Sequence, residues 1–324
     1  MTDPVRIGVL TCGGVNHMPG VWGPLIDPRG RQQFLGCTEP MTDMVMTHVW
    51  DINADDARAF AEDNPGMEVA SGYADMVNHV DGVILGDHDS CLHFRHLVRP
   101  YLEAGVPVFL NRPFALSMPD ADEIVALSQR TGTPIMTGST LEFAPEVERL
   151  RHDLASIGPI RGYVAANSTS DYSTHGIHGP LFVHACLGGG VRTVSYQTPD
   201  WRQPNGVLTL EYESRDGEPP FFGCIQEISG PLGWIKVFGG NGSCEQTFDG
   251  SLPLWLPILQ HMQHMFRTRQ MPQTHAQILE KTAIFLAGFR SAVEDGGAAV
   301  HLETLGAWRA PLLNPDPYPE GYFA

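Results

Sequence analysis

The feature that most constrains the fold is a short apolar run held between a glycine and a proline. Residues 106–110 follow Gly105 and stop before Pro113, so they are expected to form a buried strand that begins at a turn and ends abruptly. A fully apolar strand after a helical segment is typical of parallel sheets. Ligands of open α/β sheets bind at the carboxyl ends of the strands, so Asn111 and Arg112 are predicted to line a binding site.

The same alternation of strands and helices runs through the first 138 residues. Apolar runs predict strands at 5–10, 44–50, 82–86, 106–110 and 134–137, and amphipathic runs predict helices at 54–63, 91–104 and 117–129. Asn53 and Ser117 are placed to cap two of these helices. Strands that alternate with helices indicate parallel β-α-β units, so a Rossmann-type domain is predicted over residues 1–138.

The pattern changes after this point. Short β-rich runs separated by Gly, Pro, Asn and Asp predict strands at 161–168, 193–198, 207–212, 221–228, 234–238 and 243–248. Helices are expected at 145–154 and 274–295. The predicted fold class is therefore α/β, with an N-terminal parallel sheet and a C-terminal α+β domain, residues 139–324, built on an open, mostly antiparallel sheet. Such a sheet needs a cover, which favours self-association as a homodimer or homotetramer.

Composition excludes several classes of partner. The formal net charge of −17 argues against binding to nucleic acid or to an anionic membrane surface, and no apolar run is long enough to span a membrane. The six cysteines form no C-x-x-C pair and have irregular spacing, which is typical of a reducing compartment. With no signal peptide evident at Met1, a cytoplasmic location is expected.

A candidate dinucleotide site follows the first strand. Compared with G-x-G-x-x-G, Gly13 is kept, Thr11 and Asn16 replace the outer glycines, and Gly14 follows directly. Asp51 ends the second strand, where a carboxylate can bind the adenosine ribose and repel a 2′-phosphate. The cofactor predicted is NAD, with NADP disfavoured. The alternatives are that the glycine segment is an ordinary strand-to-loop turn, and that Asp51 merely lies at the start of the next helix.

Further polar residues lie near this edge. Residues 18–42 form either a lid or a plain surface loop. Asp87 and His88 follow the third strand and, with Asn111 and Arg112, complete the predicted cofactor-binding set. His93 and His96 are three residues apart, so a metal cluster is the alternative to a polar rim. No metal is predicted.

The second half contains a group of candidate proton-transfer residues. Thr174, His175 and His178 lie close together, with His184 further on. Histidine is the side chain best suited to proton transfer near neutral pH. Metal ligation by His175, His178 and His184, or a purely structural role for these histidines, remain open alternatives.

Together these residues resemble the Gfo/Idh/MocA oxidoreductase family. The segments that carry the resemblance are 102–115, 117–138 and 176–188, which cover the family's Glu-Lys-Pro motif and the Leu-Gly that follows its Asp-x-Gly-x-His segment. The resemblance implies a Rossmann domain, an open-sheet domain that forms dimers or tetramers, and NAD(P)-dependent oxidation or reduction of a secondary alcohol or carbonyl on a sugar, inositol or related polyol.

Two motif positions differ from the family. Asn111-Arg112-Pro113 replaces Glu-Lys-Pro, and Thr174 replaces the aspartate, whereas His178 is kept. Arginine can bind and polarise but does not serve as a base. We therefore expect Arg112 to bind the reacting oxygen or a substrate carboxylate, and His178 to take the alcohol proton, oriented by His175 or Thr174. The alternatives are a non-redox enzyme with a lost or recycled cofactor, and a non-catalytic binding protein.

Overall fold

A computed structural model describes residues 3–26, 43–203, 205–214, 217–230, 233–248 and 252–323. Most of the segment predicted as a lid or loop, residues 27–42, lies outside these ranges. Its first part is helical, with a π-type turn at Met18–Trp22 that continues into α1, Gly23–Ile26. None of the helices in the described ranges is long and apolar enough to cross a membrane.

The first described sheet is parallel throughout, in the order β3-β2-β1-β4-β5-β6. Its strands are β1 Val5–Leu10, β2 Met44–Trp50, β3 Glu68–Val69, β4 Gly82–Leu85, β5 Val108–Leu110 and β6 Ile135–Thr137. The five predicted strands are confirmed to within two residues. β3 was not predicted because it has only two residues, both exposed, and so shows no apolar pattern.

The helices of this domain follow the predicted caps. They are α2 Ala54–Asp63, α3 Phe94–Leu97, α4 Arg99–Glu103 and α5 Met118–Thr131. The Asn53 and Ser117 side chains each accept a backbone N–H at a helix start. The single helix predicted over 91–104 is wrong. A 3₁₀ turn at Asp89–Leu92 comes first, and Pro100, which lacks an N–H, lies in the first turn of α4.

The second described sheet is mixed, in the order β12-β11-β7-β10-β9-β8-β13. Its strands are β7 Ile160–Ser168, β8 Val191–Gln197, β9 Asn205–Tyr212, β10 Phe221–Ile228, β11 Trp234–Gly239, β12 Gly242–Thr247 and β13 Val300–His301. All neighbours pair antiparallel except β7 and β10, which are parallel at the centre. The predicted fold class is confirmed, although the strands do not follow one another as a simple meander.

The helices of the second half serve both domains. They are α6 Pro145–Ile157, α7 His178–Leu187, α8 Leu256–Thr268 and α9 His275–Val293. α8, which was not predicted, buries Ile258, Met262 and Phe266 in the same core cluster as Ile7 and Val9 of β1. A late segment of the chain therefore covers one face of the first sheet.

The close approach of α8 explains one glycine. A Cβ added at Gly82 would lie 2.6 Å from the Phe266 ring, so only glycine leaves room at the start of β4. α9 is the most deeply buried of the long helices and packs against both α5 and β8. These contacts hold the carboxyl edge of the first sheet against the start of α7.

Candidate active site

The turn after β1 is held together by the carboxylate at the end of β2. Asp51 Oδ2 accepts the backbone N–H groups of Cys12 at 2.7 Å and Gly13 at 2.9 Å, and Oδ1 accepts that of Asn53 at 2.8 Å. Thr11 has a φ of +67°, a left-handed conformation that is rare for a β-branched residue and explains why the motif has glycine there. The Asp51 carboxylate therefore lies directly against the glycine turn.

Two other side chains shape this turn. Asn16 donates to the carbonyls of Thr11 and Gly13 and accepts the Met18 N–H, so it braces the turn from inside. A Cβ at Gly13 would lie 2.3 Å from Asp56 Oδ2, which places a second carboxylate directly over the turn. A larger residue at position 13 would force the Asp56 side chain to move away from the turn.

The end of β4 carries a buried acid. Asp87 is 6% exposed and accepts hydrogen bonds from the backbone N–H and hydroxyl of Ser90, and its own N–H donates to Thr11 Oγ1. Burial raises the pKa of Asp87 to about 7, against the lowering effect of the Ser90 hydrogen bonds. This carboxyl group therefore takes up a proton at a higher pH than an ordinary aspartate does.

The C-terminal tail, residues 311–323, crosses the same edge. The Tyr318 hydroxyl lies 3.1 Å from Ser90 Oγ, and Asn314 donates to the Asp89 carboxylate at 3.1 and 3.2 Å. Burial raises the pKa of Tyr318, and the carboxylates of Asp87 and Asp51 add to that effect. The phenol therefore lies within electrostatic reach of the residue expected to bind ribose.

Arg112 forms the centre of a second polar group, directly after β5. Its side chain is 2% exposed. Nη2 lies 2.9 Å from His178 Nε2 and 3.4 Å from His17 Nε2, while Nη1 lies 2.9 Å from His88 Nε2 and donates to the Thr174 carbonyl. The guanidinium thus joins the first sheet to the start of α7.

The electrostatics of this group follow from burial. Burial lowers the pKa of Arg112 to about 9, so it remains protonated at neutral pH. Burial, followed by repulsion from Arg112, lowers the pKa of His17, His88 and His178 well below 6.5. All three rings are neutral at neutral pH, and the cluster carries the single positive charge of Arg112.

The tautomer of His178 is set by its other neighbour. Ser139 Oγ contacts His178 Nδ1, and Arg112 Nη2 donates to Nε2. Because arginine can only donate, Nε2 carries the lone pair and Nδ1 carries the proton that Ser139 accepts. His178 therefore presents an unprotonated nitrogen toward Arg112.

Thr174, which replaces the family aspartate, is hydrogen-bonded to the carboxylate of Asp171. Asp171 Oδ2 accepts the Thr174 hydroxyl at 2.6 Å, and Thr174 Oγ1 lies 2.7 Å from His175 Nδ1. Burial alone would raise the pKa of Asp171, but hydrogen bonds from His175, Thr174 and Ser170 bring it to about 2. The negative charge missing at position 174 is thus supplied three residues earlier.

The structure divides the predicted site residues into two groups. Thr11, Gly13, Gly14, Asn16, Asp51 and Asp87 line the ends of β1, β2 and β4. Arg112, Thr174, His175 and His178 come together across the two domains. His88 and Asn111, predicted to bind cofactor, contact Arg112, and Asn111 also donates to the Gly86 carbonyl.

The histidine trio considered as a metal site is not brought together. His184 lies 3.4 Å from Glu280, facing α9, and His93 lies 2.8 Å from Asp316 of the tail. Within the described ranges, no group of three His, Cys, Asp or Glu side chains is placed to hold a metal ion.

Sequence reasoning missed three residues of the second group. They are His17, Ser139 and Asp171. Ser139 and Glu142 form a capping box, an S-x-x-E pattern visible in the sequence. Asp171 caps the turn at Thr174 N in the same manner. His17 had no signal beyond its position after the glycine turn.

This arrangement defines a dinucleotide-type domain whose strand ends meet a histidine-bearing helix of an open-sheet domain. Comparison with known proteins agrees: residues 22–139 match the model of the oxidoreductase family with an NAD-binding Rossmann fold, Gfo/Idh/MocA. Over residues 22–139 this chain is therefore similar to the Gfo/Idh/MocA family, the family that its motifs resemble.

Individual relatives are distant. YceM of Salmonella typhimurium, named as an oxidoreductase, is 24% identical over 159 residues, covering 48% of this chain and 46% of that protein. Myo-inositol dehydrogenase Hyg17 of Streptomyces leeuwenhoekii is 28% identical over 106 residues, 32% of each. The matched regions thus span half or less of these curated relatives.

Solved structures show the same fold over nearly the whole chain. Myo-inositol dehydrogenase from Lactobacillus casei, crystallised with NAD(H) and myo-inositol, superposes with a TM-score of 0.72 at 15% identity. The superposition covers 92% of this chain and 96% of that one. At this identity the likeness establishes the fold.

Proposed function

We propose that this protein is an NAD-dependent oxidoreductase that transfers a hydride between nicotinamide and a secondary alcohol or carbonyl of a small polyol, sugar or hydroxy acid. The observation that carries the proposal is the pairing of two features at one sheet edge. Asp51 closes the glycine turn, and Arg112 meets a neutral His178 two strands away. A dinucleotide laid along this edge would reach from the first feature to the second.

The residues around the turn fit NAD better than NADP. Asp51 uses three of roughly four acceptor positions for backbone N–H groups, which leaves capacity for a ribose hydroxyl. Asp55 and Asp56 follow in the first turn of α2 and would repel a 2′-phosphate. Once bound, the nicotinamide ring would supply the donor or acceptor for the hydride.

The roles of the protein residues follow from their protonation states. His178 Nε2 is unprotonated, and it would accept the proton of a substrate hydroxyl that displaces the Arg112 N–H from it. Ser139 keeps the other ring nitrogen protonated and fixes the orientation of the imidazole. Asp171 orients the half-exposed His175 ring at the entrance of the site, because the Thr174 hydroxyl contacts both residues.

A substrate screen with a matched variant tests these roles. We expect formation of NADH with at least one polyol or hydroxy acid, and a loss of roughly 100-fold or more in turnover for His178→Gln with NADH binding unchanged. His152→Gln, on the exposed face of α6, is the control and should keep wild-type turnover. Wild-type turnover in His178→Gln would refute the role of His178.

The open face of the second sheet supports self-association. Val164, Phe222, Trp234 and Phe238 point to this face and are 37–58% exposed. An apolar surface of this kind is typical of an interface. We expect a homodimer or homotetramer by light scattering, and a shift to monomer for Phe222→Glu; a wild-type monomer at micromolar concentration would contradict it.

One observation favours a second candidate, a non-redox enzyme on the same fold. Tyr318 and Asp89 lie along the edge where the dinucleotide would bind. If the C-terminal tail always occupies this edge, a dinucleotide cannot bind there. His178 and His175 would then transfer protons without any hydride transfer. Absence of binding of either NADH or NADPH would exclude the redox function and leave this candidate and the non-catalytic binding protein.

A further inference from the structure

We infer that the substrate carries a carboxylate, and that Arg112 is the residue that selects it. This inference rests on the proposed function, since it names the class of substrate for the same site. It starts from the charge of Arg112 and the partners that surround it.

Arg112 is a buried cation without a contacting carboxylate. Among the described residues no Asp or Glu oxygen lies within 4.0 Å of its guanidinium, although ion pairs are formed by many other arginines of the chain, including Arg6, Arg95 and Arg99. Its hydrogen-bond partners are the rings of His17, His88 and His178 and one backbone carbonyl. A buried charge is costly unless a charge of opposite sign is paired with it.

The carboxylate that acts on Arg112 from a distance is already satisfied. Asp171 raises the pKa of Arg112, opposing the effect of burial, yet its own oxygens accept Ser170 and the N–H and hydroxyl of Thr174. It therefore cannot pair with the guanidinium without leaving its local hydrogen bonds.

The guanidinium also keeps one free donor. Arg112 Nε is buried and has no hydrogen-bond partner in the structure. With Nη2 held only by neutral imidazoles, the Nε and Nη2 edge is the side on which a planar carboxylate can bind with two parallel hydrogen bonds. Lysine, which the family has here, lacks this paired geometry.

The position of Arg112 separates a substrate carboxylate from the cofactor phosphates. Arg112 follows β5, whereas the glycine turn follows β1, and β4 lies between them. Arg112 also contacts the Thr174 carbonyl and His178 of the second domain, the side from which a substrate would reach the proton acceptor. His175, whose side chain is 41% exposed, leaves that side accessible.

Calorimetric titration with matched pairs of ligands tests the inference. Each pair has one carbon skeleton that ends in either a carboxylate or a neutral alcohol: D-gluconate with D-glucitol, and L-tartrate with L-threitol. For wild-type protein with NADH present, at least one carboxylate should bind about 10- to 100-fold more tightly than its neutral partner, the range of charge-assisted hydrogen bonds.

Two variants show whether Arg112 is responsible. Arg112→Gln should remove the preference for the carboxylate, and Arg112→Lys should keep part of it because the charge remains. The Kd for NADH is measured for both variants as well, and a loss of NADH affinity as large as the loss of carboxylate affinity would assign the anion site to the cofactor phosphates and overturn the inference. Circular dichroism verifies that each variant is folded. If Arg112→Gln does not fold, Arg112→Lys provides the test.

The outcomes separate the two proposals. Equal affinity for the two members of every pair, including binding of neither, overturns the inference about the substrate. A preference for carboxylates that survives in Arg112→Gln also overturns it. A carboxylate preference that depends on Arg112 in a protein that binds no NADH supports the anion site and refutes the proposed redox function.

Discussion

Replacement of His88 by glutamine should reduce the acid sensitivity of this protein. His88 is 4% exposed, and burial, followed by the charge of Arg112, lowers its pKa well below 6.5. The folded state therefore binds fewer protons than the unfolded state below pH 6.5, and the free energy of unfolding falls as the pH falls. Glutamine keeps an acceptor for Arg112 but takes up no proton.

The size of the effect follows from the linkage relation. A histidine that stays neutral when folded, with an unfolded pKa of about 6.5, loses about 1.4 kcal/mol of stability between pH 7.5 and pH 5.5. Asp87, whose pKa burial raises to about 7, takes up a proton over the same interval and acts in the opposite direction. Since Asp87 is present in both proteins, its contribution cancels in the comparison.

Urea unfolding followed by tryptophan fluorescence measures the difference, because Trp22 and Trp255 flank the histidine cluster. Between pH 7.5 and 5.5, His88→Gln should lose about 1.4 kcal/mol less stability than the wild type. The control His152→Gln, at an exposed position, should follow the wild type. An identical pH dependence for wild type and His88→Gln would refute the buried neutral state of His88.

Three further changes test other parts of the account. Ser139→Ala removes the partner of His178 Nδ1 and should lower kcat about 10-fold or more with substrate affinity retained; unchanged kcat in steady-state assays would contradict the fixed tautomer. Tyr318→Ala frees the sheet edge and should lower the Kd for NADH in fluorescence titrations, whereas a higher Kd would show that the tail forms part of the cofactor site. Phe285→Ala removes a fully buried ring stacked on Tyr172 and should cost about 3–5 kcal/mol in chemical unfolding; a loss below 1 kcal/mol would mean that α9 is loosely packed.

The elements predicted most closely are those with strong local signals. Helix α2 was placed at its observed bounds from the Asn53 cap and its apolar spacing, and β1, β2 and β10 from continuous or alternating apolar runs. α8 was not predicted because its apolar face packs against the first sheet, which is far away in the sequence. No local sequence signal indicates that contact.

Individual residues of the candidate site could be predicted from the sequence, but most of their contacts with one another could not. Asp51, Arg112 and His178 could be selected because strand ends and motif spacing mark them. Their partners could not: Ser139 reaches His178 across 39 positions, and Tyr318 reaches Ser90 across 228. The neutral state of the histidines also depends on burial, which only the packed structure reveals.

Titration of the purified protein with NADH and NADPH, followed by nicotinamide fluorescence, tests the central proposal most directly. NADH is expected to bind more tightly than NADPH, and Asp51→Asn should weaken NADH binding about 10- to 100-fold. Asp55→Asn, at an exposed position in the first turn of α2, should leave NADH binding unchanged. If neither nucleotide binds, or if Asp51→Asn binds NADH as the wild type does, the proposed NAD-dependent function is contradicted.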